Sequence, residues 1–267
     1  MPESDDVFGQ LVALRAAGMA CALCTVVRTA GSTPRKSAAR MLVSLRGERF
    51  GTIGGGRIEK QVQDAAQALL QRGEGAAPTM LRYHLTRELG MCCGGEMEVF
   101  VEPMIPAPNL IVCGGGHIGC ALVPLASRLG FAPILVEDLE ELGNRERFPD
   151  AQRIIDSFDP RDWSGVPLDE RSYAVIVTRD HPQDQALLER LLPYELAYLG
   201  LIGSQRKILL FRQRLLNKGF SEAQLDRVHA PIGLDIGAET PEEIAIAIAA
   251  ELVQVRARRR APRAPAP

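Results

Sequence analysis

No run of apolar residues in this chain approaches the roughly 20 positions that span a bilayer. The opening residues, MPESDDVFGQ, are acidic and carry no apolar core segment, which argues against a secretory leader. No sign of charge dominates either. The 31 basic and 33 acidic residues leave a net charge of -2, so neither nucleic acid nor an anionic membrane is indicated as a partner. A soluble cytoplasmic protein is expected. The six cysteines form no disulfide framework. A chain of 267 residues with 46% hydrophobic content builds two domains with cores of their own, and the cytoplasm is reducing. There is no internal repeat beyond two glycine turns.

What is there centres on residues 110–138, LIVCGGGHIGCALVPLASRLGFAPILVED. A short apolar run leads into Gly114, Gly116 and Gly119, which fit G-x-G-x-x-G. The first glycine permits the tight turn, the second close approach to a phosphate, and the third helix–strand packing. Leu122, Leu125, Ala126 and Leu129 make a helical stripe that Gly130 stops. A second apolar strand then ends at Glu137 and Asp138, where a dinucleotide fold places its ribose-binding acid. Strand, turn, helix, strand and acid agree on a Rossmann-type unit. His117 stands beside the turn, either as a phosphate contact or as a plain helix-start residue.

The residues before this unit read as a smaller α+β domain. Ser4 is expected to cap a helix over 5–17 whose apolar face is Val7, Phe8, Leu11, Val12 and Leu14. Strands follow over 19–27, 39–45 and 50–53, with a turn-rich loop at 30–36 carrying Arg35 and Lys36. Gly54, Gly55 and Gly56 then open a helix over 57–71, offering free N–H groups to an anion or simply making a tight corner. Glu59, in the first turn of that helix, is favourable there without any function. Cys21 and Cys24 lie in an apolar strand and read as small core residues, as do Cys113 and Cys120. Cys92, Cys93, Gly94 and Gly95 form a loop before the alternating strand 96–102, where a thiolate would suit a soft metal or sulfur transfer. Three prolines within 103–109 mark a stiff boundary, so the expected domains are 1–104, a linker at 105–109, and 110–256.

Beyond Asp138 the strand–helix alternation continues, so the second domain is expected to be a doubly wound parallel sheet. Residues 179–182 follow a strong buried strand at its carboxyl end. Ser204, Arg206 and Lys207 open a helix over the sequence GSQRK and make a second phosphate-type site. The only tryptophan, Trp163, is expected to pack the sheet edge. Thr240, Pro241 and Glu243 form a capping box for a helix apolar on nearly every side, either buried or a homodimer interface. Residues 257–267 are expected to be a disordered basic tail.

Seven stretches in this order resemble the xanthine dehydrogenase accessory protein family, XdhC/CoxI. They are GSTPRKSAARMLV, GTIGGGRIE, CCGGEMEVFVEP, the GGGHIG turn, VTRDHPQD, LIGSQRK and HAPIGLDIGAETPEEIAIAIAAEL, and they run from about Thr25 to Glu251. The resemblance implies a chaperone of purine catabolism with no turnover of its own. It would bind molybdenum cofactor, support its sulfuration by a cysteine desulfurase, and pass it to apo-xanthine dehydrogenase or a related molybdoenzyme. It further implies that Arg35 holds phosphate or an oxo group. Cys93, which matches the cysteine of the family's CGG, would touch molybdenum or sulfur; Cys92 is an extra neighbour with no assigned role. The glycine turns and the 203–207 helix start would supply the anion cradle, and the Rossmann turn also admits a nucleotide.

Two other readings compete. An NAD(P)-dependent oxidoreductase fits the glycine turn and Asp138, though no tyrosine–lysine pair or similar proton-transfer set follows the strands. A redox regulator would use Cys92 and Cys93, but neighbouring cysteines rarely make an unstrained disulfide.

Overall fold

The computed structural model describes residues 6–85 and 95–260. It divides into two compact units, residues 1–106 with 259–267, and residues 107–258. Cys92, Cys93 and Gly94, and the expected tail beyond residue 260, lie outside the described residues.

The N-terminal unit begins with α1 (Val7–Ala16), capped by Asp6, whose carboxylate accepts from the Gly9 amide at 2.9 Å. Ser4 and Asp5, the expected cap and first residue, fall outside the described residues. Only part of the expected apolar face is buried: Val7 and Leu14 are inside, while Phe8 and Val12 are more than half exposed. The strands are β1 (Cys21–Ala30), β2 (Arg40–Ser44), β3 (Arg49–Gly51), β4 (Thr79–His84) and β5 (Glu96–Met104). They pair antiparallel in the order β3-β2-β1-β5-β4. Helix α2 (Gly56–Leu70) covers one face through Ile58, Val62, Ala66 and Leu70, against Val26, Val43, Met97 and Val99. Strand β5 runs through Pro103, opposite Ala22, so the first of the three connector prolines is inside the sheet.

The second unit holds β6 (Asn109–Cys113), β7 (Ala132–Val136), β8 (Arg153–Ile155), β9 (Ser172–Ile176), β10 (Tyr198–Leu201) and β11 (Val228–His229). All pair parallel, in the order β11-β10-β9-β6-β7-β8. Parallel strands are covered on both faces, and their near-continuous apolar runs follow from that. Helices α3 (His117–Arg128) and α7 (Pro241–Arg260) contribute Leu122, Ala126, Ile248 and Leu252 to one core. Helices α4 (His181–Leu191) and α5 (Gln205–Asn217) contribute Leu187, Leu191, Phe211 and Leu215 to the other. The sheet is therefore doubly wound, with its switch point between β6 and β9. A short α6 (Glu222–Leu225) precedes β11. No helix among the described residues is long and apolar enough to cross a membrane.

Several local expectations hold. The Thr240–Glu243 capping box forms, with reciprocal hydrogen bonds at 3.0 and 3.3 Å. Cys21, Cys24 and Cys113 are buried, and burial pushes the Cys24 thiol up to about 12. Trp163 is buried and donates to the Ser157 carbonyl at 2.8 Å. The basic stretch expected to be a tail is helical as far as Arg260, and Arg256 is buried, with its guanidinium 4.4 Å from the Phe131 ring centroid.

Candidate functional site: two glycine turns and their internal carboxylates

In the C-terminal unit, β6 delivers the chain into the turn at Gly114, whose φ of 125° suits glycine. A Cβ there would sit 2.4 Å from the Val177 carbonyl, so the turn is pressed against the end of the neighbouring strand. Gly119 packs on the Gly114 carbonyl, where a Cβ would approach to 2.1 Å. Both glycines do what their spacing predicts.

The phosphate place differs from that expectation. The Gly115 amide donates to Glu137 Oε2 at 2.8 Å. Glu137 Oε1 accepts from the Leu139 amide at 3.2 Å and from Arg179 at 2.6 Å. The Glu137 side chain is 1% exposed. Arg179 also pairs with Asp138 at 2.8 Å, and both acids raise the guanidinium's already high pKa, Asp138 foremost. Asp138, the expected ribose contact, thus has an arginine partner within the chain, and its side chain is 39% exposed. The Leu142 carbonyl also lies against Gly115, 2.4 Å from where a Cβ would be. A carboxylate from the next strand and the loop after it therefore pack against Gly115, and the Gly115 amide is engaged within the chain. Gly116 faces open space, and His117 is exposed with no side-chain partner among the described residues.

The second phosphate-type site is also partly consumed. Ser204 caps α5, accepting from the Lys207 amide at 3.4 Å. The Lys207 side chain is 9% exposed, and its ammonium is bound to Asp184 at 2.6 Å and to the Ile202 carbonyl at 3.1 Å. Asp184 in turn accepts from the Thr178 amide and hydroxyl at 3.1 and 2.6 Å. Lys207 is therefore an internal tie from helix α5 to helix α4 and to the end of β10. Arg206 is exposed and has no side-chain partner among the described residues.

The glycine turn of the N-terminal unit repeats the pattern. Glu59 Oε1 accepts from the amides of Ile53, Gly54 and Gly55 at 3.1, 3.2 and 2.8 Å, and from the Thr52 hydroxyl. Its other oxygen meets Arg49 at 3.2 Å. Burial works to raise the Glu59 pKa, and the hydrogen bonds from Thr52, Gly55, Ile53 and Gly54 outweigh it, so the carboxyl sits below its ordinary value. The free amides expected at Gly54 and Gly55 are spent on this residue, to which sequence reasoning assigns no role. The signal is present in the chain, since a carboxylate four residues beyond Gly55 can fold back on the turn in the manner of a capping box.

Around this turn the unit brings three stretches together. The Pro34 ring packs on Gly54, where a Cβ would be 2.6 Å away. Gly95 fits against the carbonyls of Ala30 and Ser32, at 2.5 and 2.4 Å from a built Cβ. The Leu85 amide donates to the Gly95 carbonyl at 3.0 Å, closing the base of the segment that carries Cys92 and Cys93. Arg35 and Lys36 are exposed and have no side-chain partner among the described residues. Two cations thus stand on the loop that joins the glycine turn to the base of the cysteine segment. Among the described residues no group of three or more His, Cys, Asp or Glu side chains could hold a metal ion.

A third polar centre has no counterpart in the sequence reading. Glu251, on α7, accepts from the Tyr198 hydroxyl at 2.6 Å and the Gly233 amide at 2.8 Å, and meets His229 Nδ1 at 2.8 Å. The Tyr198 and His229 rings lie 4.4 Å apart. This centre holds the HAPIGLDIG loop against the sheet.

Residues 110–252 match the XdhC Rossmann domain, and residues 14–84 match the XdhC and CoxI family. This chain belongs to the XdhC family. An XdhC relative in Escherichia coli K12, described as the uncharacterized protein YqeB, is 36% identical over 258 residues, covering 94% of this chain and 46% of that protein. The chain therefore spans about half the length of that relative. A Bacillus subtilis protein, described as one of the probable subunits of xanthine dehydrogenase, is 25% identical, covering 88% of this chain and 93% of its own. A crystal structure described as a xanthine dehydrogenase from Bacillus halodurans aligns over 98% of each chain, with a TM-score of 0.53 and 24% identity. That likeness speaks to the fold alone.

Proposed function

We propose that this XdhC protein is an accessory protein for xanthine dehydrogenase or a related molybdenum hydroxylase. In this reading it binds molybdenum cofactor, supports sulfuration of that cofactor by a cysteine desulfurase, and delivers it to the apoenzyme. The observation that carries the reading is the convergence, within the N-terminal unit, of the Arg35 loop, the Gly54 turn and the base of the segment bearing Cys93. The name of the Bacillus subtilis relative adds support for the partner.

The chemistry fits the group. Molybdenum cofactor carries a terminal phosphate and oxo ligands, which a guanidinium fork meets with paired hydrogen bonds. Arg35 and Lys36 are exposed cations suited to that task, whereas Arg49 is engaged by Glu59. With the Gly54 and Gly55 amides spent on Glu59, the two side-chain cations carry the anion contact. Cys93 supplies the soft donor suited to molybdenum or sulfur. The rival oxidoreductase reading loses support at the Rossmann turn, where Glu137 and Arg179 take the Gly115 amide and Asp138.

The test is uptake of cofactor by the purified full chain under anaerobic conditions, followed by counting of molybdenum and pterin after removal of free cofactor. Wild type is expected to retain both, and Arg35→Ala and Cys93→Ala to retain at least about tenfold less, the loss expected for removing a charge-assisted contact. Retention by both variants equal to wild type would remove the assignment.

A further inference from the structure

Helices α4 and α5 lie on the same face of the parallel sheet, and between them runs a groove of about 630 Å³. Its walls are helical stripes, with Gln185 and Glu189 on one side and Leu210, Arg214 and Lys218 on the other. Three polar contacts join the two helices there: Lys207 to Asp184 at 2.6 Å, Arg214 to Gln185 at 3.1 Å, and Lys218 to Glu189 at 2.6 Å. These ties fix the spacing of the two helices, so the groove is preformed.

Its charge is lopsided. Arg206, Lys207, Arg214 and Lys218 line it; Lys207 and Lys218 are paired with Asp184 and Glu189, which leaves Arg206 and Arg214 as the excess cations, in a chain whose overall charge is -2. Arg206 has no side-chain partner among the described residues, and the bond from Arg214 goes to a neutral amide. The middle is apolar: Phe211 is buried, and Leu210 is 46% exposed. The lining runs from Ser204 to Lys218, and at a rise of about 1.5 Å per residue this is about 20 Å. That is the reach of several helical turns, longer than a free phosphate needs.

We propose that this groove docks an acidic amphipathic helix of a partner protein. A leucine-type stripe would lie on Leu210 above the buried Phe211, with carboxylates reaching Arg206 at one end and Arg214 further along. Helix-in-groove recognition uses this combination of apolar anchors and complementary rim charge. The chain's own basic stretch at Arg258, Arg259 and Arg260 is excluded as occupant by like charge. The proposal does not depend on what the N-terminal unit binds.

The probe is a fluorescein-labelled helical peptide carrying a leucine stripe and glutamates, titrated into the full chain and read by anisotropy. Binding is expected, weaker by at least about tenfold in R206E/R214E and in L210E. A scrambled peptide of equal charge, lacking the stripe, is expected to bind at least about tenfold less tightly than the probe. The substituted side chains are all solvent-facing, and circular dichroism verifies that the variants fold. Absence of binding would overturn the proposal, as would equal affinity of the scramble, which leaves bulk charge only. Displacement of the probe by inorganic phosphate would assign the groove to a small anion, and self-association lost in R206E/R214E would assign it to a second copy. Either result also overturns the proposal.

Discussion

At the residue scale, the most informative side chains are two glutamates that the chain turns on its own backbone. A glycine turn before a helix aims several N–H donors at one point, and something negative must meet them. In both units that group is internal, Glu59 in one and Glu137 in the other. Glu59 is the easier to test. Replacing it with glutamine keeps the shape and removes the charge. Glu59→Gln is expected to destabilise the protein by about 1.5–3 kcal/mol, the range for hydrogen bonds to a charged group. Denaturant unfolding near neutral pH reads this directly. The pH dependence has a definite sign. Because the folded pKa is depressed below the ordinary 4.5, this stabilisation is complete above that value and is lost as pH falls through the folded one. The gap between wild type and Glu59→Gln should therefore narrow on acidification below pH 4.5, and a gap independent of pH would contradict this origin.

At the scale of the element, α7 joins several of these themes. Its apolar surround leaves a choice between burial and an interface with a second copy; Ala245, Ile248 and Leu252 are buried in the core of their own unit, while Ile246 is 52% exposed. Its single buried-side glutamate, Glu251, is pulled two ways. Burial raises its pKa, and the bonds from His229, Tyr198 and Gly233 lower it further than burial raises it. The helix outlasts the expected start of a tail because Arg256 has a seat inside, stacked on Phe131 and donating to the Leu129 carbonyl at 2.8 Å. Arg256→Ala is expected to cost about 1–3 kcal/mol through lost stem packing and an orphaned carbonyl. Hydrogen exchange should show faster protection loss in the last turns of α7, and unchanged exchange there would argue against the seat.

At the scale of the whole molecule, the Rossmann architecture does not by itself carry a dinucleotide. With the Gly115 amide and Asp138 both engaged internally, NADH and NADPH are expected to leave the unfolding temperature of the full chain unchanged. A ligand that binds the native state tightly must raise it, so a clear shift in a thermal melt would refute this view of the turn. The same whole-molecule view separates two kinds of legibility. The strand–turn–helix–strand of residues 110–138 is readable because apolar period and glycine spacing are local properties of the chain. The capping box at Thr240 is readable for the same reason. The engagement of Glu137 is not, because it lies 22 residues from Gly115 and reaches it only when β6 and β7 pair with Cys113 opposite Val136. The Lys207–Asp184 tie spans 23 residues and depends likewise on neighbouring strands lining up.

From residue order alone came the two-unit α/β plan, the glycine corners, the burial of Cys21, Cys24 and Cys113 (though Cys120, read the same way, is half-buried) and the resemblance to the XdhC family, all of which rest on patterns along the chain. Folding in three dimensions settled which donors remain available. Glu59, Glu137 and Asp184 claim amides and cations that read as free along the chain, leaving Arg35, Lys36 and Arg206 exposed and without side-chain partners among the described residues. The reason is that a buried hydrogen-bonding group takes the nearest partner in space, and nearness in space is set by strand register and helix packing, not by position in sequence.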